Sequence, residues 1–178
     1  KNNQNKTRFN LLIALSWFMS TLNRLHIELD ESVWKRFPYL CSYCASCPCS
    51  CMENGIDKRK EVPVDNSKRP VTLEDFQTMF GKIYPTENRT IEHAGVHLAE
   101  ELGEFSEAIL AYMGEHKDGL FEKVILESAD VFSCIISVFN SMGINVAKEL
   151  SDMFSNNCHT CKKSPCECSF GSIVKFKS

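Results

Sequence analysis

The sequence predicts an all-α fold, a helical bundle, from three observations. Apolar residues recur at the three- and four-residue spacing of amphipathic helices in several long segments. Glycine and proline residues stand between those segments, where they end or interrupt helices. Only Ile173–Phe176 has the character of a strand. The chain has 178 residues, of which 43% are hydrophobic and 24% charged, and this globular composition excludes wholesale disorder.

Start and stop signals divide the chain into its predicted helices. Thr72 and Asp75 have the spacing of a capping box, and Thr90 can cap a long helix. Gly114 and Gly143 are placed to end the two central helices. The predicted helices are Thr7–Leu29, Glu31–Phe37, Thr72–Phe80, Thr90–Met113, Leu120–Met142 and Val146–Asn156, with a loop at Gly81–Asn88. Trp17, Trp34 and Phe105 are assigned to the core rather than to base stacking.

Charge and hydropathy exclude two classes of protein. The formal net charge is −3, so the chain cannot bind nucleic acid by bulk basicity. Its strongly apolar runs, Leu11–Met19 and Val131–Phe139, are far shorter than the ~20 residues that span a membrane. We therefore expect neither a membrane nor a nucleic acid as partner.

Nine of the ten cysteines lie in two short stretches of the chain, and eight of them form two clusters that share the spacing C-x2-C-x3-P-C-x-C. Four thiolates this close together can enclose one tetrahedral Zn²⁺ in a small metal knuckle. An iron–sulfur cluster and a disulfide framework are the alternatives, although neighbours in C-x-C pair poorly with each other. Structural zinc in a reducing, cytoplasmic environment is the favoured interpretation. The first cysteine cluster is Cys41, Cys44, Cys49 and Cys51, and the second is Cys158, Cys161, Cys166 and Cys168; Cys47 falls outside the shared spacing.

The two cysteine clusters belong to a longer internal repeat. A shift of 117 residues aligns Asn10–Cys51 with Glu127–Cys168 without a gap, and ten positions are then identical. This match predicts a duplicated unit of long helix, short helix and knuckle, with the first copy a degenerate half-repeat; the alternative is coincidence between two similar knuckles on amphipathic helices. The predicted organisation is a helical segment with the first cluster (1–51), a polar linker (52–71), the central helices (72–157), and the second cluster with a tail (158–178).

Carboxylates stand three residues apart on both central helices. Glu101 and Glu104 share a face of one helix, and Glu127 and Asp130 share a face of the next. Between Val96 and Met113 there is no Lys or Arg to neutralise them. Same-sign charges beside apolar faces repel one another, so they favour a hard divalent cation between the helices, Mg²⁺ or Mn²⁺. A solvated acidic stripe is the alternative.

These residues carry a resemblance to a known family. The stretch Leu98-Ala-Glu-Glu-Leu-Gly-Glu-Phe-Ser-Glu-Ala-Ile109, followed by Glu127-Ser-Ala-Asp130-Val-Phe, resembles the two-part motif of MazG-like nucleoside triphosphate pyrophosphohydrolases. The resemblance implies an all-α enzyme, homodimeric or tetrameric, that hydrolyses nucleoside triphosphates to monophosphate and pyrophosphate. By position, Glu101, Glu104, Glu127 and Asp130 would hold Mg²⁺, Glu100 would support them or orient water, and Asn156 would lie near the phosphates. Asp152 stands where the family often has a lysine.

Two functional classes follow from these motifs. The favoured one is a metal-dependent pyrophosphohydrolase in which a metal-activated water attacks the α-phosphorus. The alternative is a non-enzymatic zinc-knuckle module that binds nucleic acid or protein on a helical scaffold. The first cysteine cluster has no Lys or Arg within it, which disfavours the binding module. His97 lies on the face of Glu101 and is either a contact to substrate or a packing residue.

Overall fold

The structure, a computed structural model, describes residues 2–55, 58–169 and 171, and within these ranges it contains helices and no strand. The predicted all-α class is therefore confirmed for the described residues. The strand-like segment Ile173–Phe176 lies outside them. The helices are α1 (Asn2–Arg24), α2 (Leu29–Arg36), α3 (Cys51–Asn54), α4 (Leu73–Ile83), α5 (Ile91–Glu115), α6 (Asp118–Ser141) and α7 (Val146–Met153), with short 3₁₀ turns at Asn66–Lys68 and Thr86–Asn88.

Contacts between residues divide the chain into two compact units, 1–146 and 147–178. The first unit contains α1 to α6, the first cysteine cluster and all the candidate carboxylates. The second unit contains most of α7 and the second cysteine cluster. Each unit is described by itself below.

Helix α6 is the centre of the first unit. It is buried without interruption from Glu127 to Phe139, and α5, α2 and α4 pack against it. α5 and α6 form a helical hairpin, because α5 ends at Glu115 and the next residue, His116, has a left-handed φ of 51°. α6 is the one described helix with the length and hydropathy of a membrane span, yet 72% of that apolar stretch is buried inside the fold. Its composition is accounted for by its place in the core.

The predicted helix starts at Thr72 and Thr90 are confirmed in atomic detail. Thr72 Oγ1 accepts a hydrogen bond from the Asp75 backbone N–H at 3.1 Å, and the Asp75 carboxylate accepts one from the Thr72 N–H at 3.0 Å. Thr90 Oγ1 accepts from the His93 N–H at 3.3 Å. Side chains at both positions therefore satisfy amide groups that a helix start leaves unpaired.

Three predicted helix ends are wrong, and one of them is that of the last helix, which ends at Met153 rather than Asn156. The loop predicted to begin at Gly81 begins later, because α4 continues to Ile83, whose side chain is fully buried. The first helix ends at Arg24 rather than Leu29. There His26 adopts a left-handed φ of 56°, and the Ile27 N–H bonds to the Leu22 carbonyl at 3.0 Å. Burial of Ile83 extends α4, and a left-handed turn at His26 ends α1. Neither position has a glycine or proline that would have indicated this from the sequence.

The two copies of the predicted repeat have equivalent backbone conformations. The last residues of α1 and α6, Arg24 and Ser141, are 117 positions apart. The first and last residues of α2 are likewise each 117 positions before those of α7. After α6, Gly143 has a φ of 65° and the Ile144 N–H bonds to the Phe139 carbonyl at 3.1 Å. This is the same helix-ending hydrogen bond found after α1, a Schellman turn. Such agreement is what a duplicated unit would produce.

Candidate metal and phosphate site

Helices α5 and α6 bring three of the predicted carboxylates together. Glu101, Glu104 and Glu127 each offer an oxygen within 4.8 Å of the others, and we call these three residues the carboxylate cluster. Glu101 and Glu104 lie one turn apart on α5, while Glu127 faces them from the buried side of α6. Three carboxylate oxygens that converge in this way could hold a metal ion.

Protein groups compensate the cluster only in part, since the charges of Arg36 and Lys123 oppose the increase in the pKa of Glu127 without cancelling it. Glu101 Oε2 is buried and has no hydrogen-bond partner among the described residues. Burial, and after it the charges of Asp130 and the other glutamates, raises the pKa of Glu101 to about 7. Burial and Asp130 likewise raise the pKa of Glu127. An ionised cluster is thus unfavourable without a cation, which is the electrostatic condition for a metal site.

Asp130, the fourth predicted ligand, lies close by but is engaged with Arg36 of α2. Arg36 donates through Nε to Asp130 Oδ1 at 3.1 Å and through Nη2 to Oδ2 at 2.5 Å. The aspartate is buried, and burial raises its pKa while the Arg36 hydrogen bonds lower it, with a net increase. Both oxygens of the Asp130 carboxylate are therefore already paired with Arg36. The sequence contained no local signal for it, because the partners are 94 residues apart.

A second arginine approaches the same carboxylate. Arg59 Nη2 lies 4.0 Å from Asp130 Oδ2, and the Arg59 guanidinium stacks over the ring of Tyr43 at 5.4 Å. Tyr43 is part of the loop of the first cysteine cluster, and its carbonyl accepts a hydrogen bond from the Lys60 N–H at 3.0 Å. The loop of the first cysteine cluster thus directly supports the segment that carries Arg59.

The first cysteine cluster has the geometry of a four-sulfur metal site. All four Sγ atoms lie within 4.8 Å of one another, with 3.7 Å between Cys41 and Cys51 and 3.9 Å between Cys44 and Cys49. A single tetrahedral ion with metal–sulfur bonds of about 2.3 Å separates its sulfurs by about 3.8 Å. Burial raises the pKa of Cys44, but hydrogen bonds, led by that with the Ser46 hydroxyl, outweigh it and bring the pKa to about 5. These hydrogen bonds favour the thiolate form of Cys44, whereas burial raises the pKa of Cys49 and Cys51.

The second cysteine cluster repeats this arrangement within the second unit. Its Sγ atoms also lie within 4.8 Å of one another, at 3.7 Å for Cys158–Cys168 and 3.8 Å for Cys161–Cys166. Hydrogen bonds from the backbone of Cys161 and Thr160 lower the pKa of Cys158 to about 6. All ten cysteines of the chain are free thiols, and the exposed Cys47 belongs to neither cluster. Both four-cysteine groups could thus hold a metal such as zinc or an iron–sulfur cluster.

The remaining predicted site residues lie at the margin of the carboxylate cluster or outside the first unit. Glu100 is exposed, and its Oε2 lies 3.3 Å from Nδ1 of His97. The pKa of His97 is lowered, chiefly by burial and by nearby Arg89. Asn156 is exposed in the turn after α7, within the second unit.

No family model matches the sequence, and no curated protein or solved structure is significantly similar to it. The resemblance to MazG-like enzymes therefore depends on the residues of the two-part motif alone.

Proposed function

We propose that the protein is a Mg²⁺-dependent nucleoside triphosphate pyrophosphohydrolase of MazG-like type, active as a homodimer or tetramer in the cytoplasm. The observation that carries the proposal is the convergence of Glu101, Glu104 and Glu127 oxygens within 4.8 Å, with Glu101 Oε2 buried and unpartnered among the described residues. Oxygen ligands suit Mg²⁺, and Mn²⁺ is the closest substitute.

In the proposed reaction, water adds to the α-phosphorus of a nucleoside triphosphate. The bond from that phosphorus to the α–β bridging oxygen breaks, pyrophosphate leaves, and the proton of the water passes to a carboxylate. When bound, Mg²⁺ would neutralise phosphate charge and lower the pKa of the water. Glu100 is the exposed carboxylate next to the cluster, and we assign it the orientation of the water. Asp130 would join the ligands only by giving up part of its pairing with Arg36.

We assign the two cysteine clusters to structural Zn²⁺. Sulfur separations of 3.5–3.9 Å within the two clusters are close to those around one tetrahedral ion. A multi-iron cluster would place several irons between the same sulfurs and spread them farther apart. Zinc bound in this way contributes directly to folding, because the ligands are scattered in the unfolded chain.

The test is a nucleotide panel. Purified protein is incubated with ribo- and deoxyribonucleoside triphosphates and Mg²⁺, and the products are separated by chromatography. We expect stoichiometric nucleoside monophosphate and pyrophosphate from at least one substrate, and no inorganic phosphate. If no nucleotide is cleaved by metal-loaded, folded protein, the enzyme proposal fails and the zinc-knuckle binding module takes its place.

A further inference from the structure

Two arginines flank the carboxylate cluster from outside the α5–α6 hairpin. Arg36 is the last residue of α2, and Arg59 lies in the segment that follows the first cysteine cluster. Both guanidinium groups approach Asp130, at hydrogen-bond distance for Arg36 and at 4.0 Å for Arg59. Asp130 balances one of these two positive charges, so the second is available to offset part of the negative charge of the carboxylate cluster.

The arginines also have donors to spare. A guanidinium carries five N–H groups, and Arg36 uses those of Nε and Nη2 on Asp130. Arg59 makes no hydrogen bond to any residue that the structure describes, and its side chain is 46% exposed. Its position is set instead by the Tyr43 ring beneath it. The free N–H groups beside the cluster suit an anion with several oxygens, such as a phosphate group.

Charge balance explains why an anion-binding site beside the carboxylate cluster needs the two arginines. Glu101, Glu104, Glu127 and Asp130 carry four negative charges when ionised, and one divalent cation neutralises two of them. The remaining charge would repel a polyphosphate, which is itself strongly negative. Arg36 and Arg59 would remove that repulsion.

We propose that Arg36 and Arg59 are the phosphate-binding residues of this site. The ligand is a polyphosphate chain held between a metal ion on the carboxylate cluster and the two guanidinium groups. The first cysteine cluster holds Arg59 in place through Tyr43. The inference rests on the proposed function for the metal ion and for the triphosphate chain.

The probe is inorganic tripolyphosphate, titrated calorimetrically into zinc-loaded protein in excess Mg²⁺. Arg59→Gln should weaken its binding about 10-fold or more, since hydrogen bonds to charged groups are each worth about that factor. The matched control is Arg69→Gln, which removes an arginine paired with Asp30 at 2.8 Å and should leave affinity unchanged. Mg²⁺ binding without tripolyphosphate should not weaken in Arg59→Gln.

A conservative substitution is needed at Arg36. Arg36→Gln would leave Asp130 buried without a counter-ion, so that variant could fail to fold. Arg36→Lys keeps the positive charge for Asp130 but loses the planar fork, and it should also weaken tripolyphosphate binding. A circular dichroism melt verifies that each variant is folded before titration.

The outcomes separate this inference from the proposed function. Wild-type affinity in both Arg59→Gln and Arg36→Lys overturns the inference, even if the wild-type protein hydrolyses nucleotides. Absence of tripolyphosphate binding to the wild-type protein also overturns it. If the wild-type protein binds tripolyphosphate through these arginines but cleaves no nucleotide, the inference stands and the pyrophosphohydrolase proposal fails.

Discussion

Asp130 and Glu101 are neighbouring acidic side chains, but in the part of the chain that the structure describes only Asp130 is hydrogen-bonded to a positively charged side chain. Asp130 is buried and neutralised by a two-point ion pair with Arg36. Glu101 has a buried oxygen with no hydrogen-bond partner among the described residues. Removal of the Asp130 charge would leave the guanidinium of Arg36 nearly buried and unpaired, which is costly for stability. Glu104 is exposed, so its substitution tests metal binding with little effect on folding.

We predict that Glu104→Gln abolishes Mg²⁺-dependent turnover. The change removes one negative ligand at constant volume, and even groups that act behind metal ligands cost about 10–100-fold when altered, so a loss of at least about 100-fold is expected. Turnover and Mg²⁺ affinity are measured side by side. The control is Glu107→Gln on the same helix, because Glu107 is exposed and outside the cluster. Equal losses in the two variants, or none in either, would remove Glu104 from the site.

The pH dependence of stability tests the repulsion within the cluster. The pKa of Glu101 is raised from 4.5 to about 7, so its ionisation opposes folding. The penalty is absent below pH 4.5 and complete above pH 7, and Mg²⁺-free protein should lose stability as pH rises through that window. Glu101→Gln should remove this part of the slope and be more stable than wild type at pH 8, by on the order of 1 kcal/mol after solvent screening.

Urea unfolding at pH 5.5 and pH 8, in zinc-containing and Mg²⁺-free buffer, measures the difference. Groups away from the cluster cancel in the comparison, and the weaker repulsion on Glu104, Glu127 and Asp130 in Glu101→Gln changes the slope in the same direction. A constant stability difference between wild type and Glu101→Gln at the two pH values would contradict the raised pKa.

At the scale of elements, sequence reasoning succeeded where the signal was local. The caps at Thr72 and Thr90 and the turn after α6 at Gly143 each depend on residues within one helical turn. It failed where packing decides: α4 extends to Ile83 because that side chain is buried in the core. Trp17 was assigned to the core but is 53% exposed, since Leu15 and Phe18 take the buried face of α1. Arg36 and Arg59 could not be found, because only the tertiary fold brings them to Asp130.

The two cysteine clusters differ in how deeply the fold depends on them. Cys41 and Cys44 are buried in the first unit, where the Cys49 N–H bonds to the Ile83 carbonyl at 2.7 Å. This bond attaches the first cluster to the end of α4. The second cluster has half-buried or exposed cysteines and lies in the smaller unit.

We therefore predict unequal effects of matched cysteine substitutions. Wild-type protein should contain about two zinc ions per chain, and Cys44→Ser and Cys161→Ser should each leave about one. Cys44→Ser should lower the melting temperature of the main transition by several degrees or more, because metal binding there is coupled to folding of the core. Cys161→Ser should change that transition little.

Elemental analysis measures the zinc content and calorimetry the melting temperature of the same preparations. Cys47→Ser is the control, because Cys47 belongs to neither cluster. A brown protein absorbing near 400 nm would assign iron–sulfur instead of zinc. A colourless protein without zinc, with intact disulfides by non-reducing mass spectrometry, would contradict both metals.

At the scale of the whole molecule, α5 has a second face that the first unit leaves uncovered. Exposed apolar or small residues recur there at alternating three- and four-residue spacing, opposite the face that packs on α6. Val96, Leu110 and Met113 are 68%, 71% and 64% exposed, and no side chain lies within 4 Å of where a Cβ on Gly103 would be. The full stripe is Val96, Ala99, Gly103, Ser106, Leu110 and Met113. This is the heptad spacing of a helix that pairs with another helix, with small residues at its centre that permit close approach.

We predict that this stripe joins two copies of the chain, in keeping with the homodimer or tetramer that the MazG-like resemblance implies. Leu110→Glu places a charge where the paired helices would exclude water, so it should convert the assembly to monomer. Light scattering coupled to size exclusion, at micromolar protein, measures the mass. Val71→Glu is the control, because Val71 is 90% exposed and lies off the stripe. Wild-type protein that runs as a monomer, or an oligomer that Leu110→Glu leaves intact, would contradict the interface; the second outcome would move it to another surface.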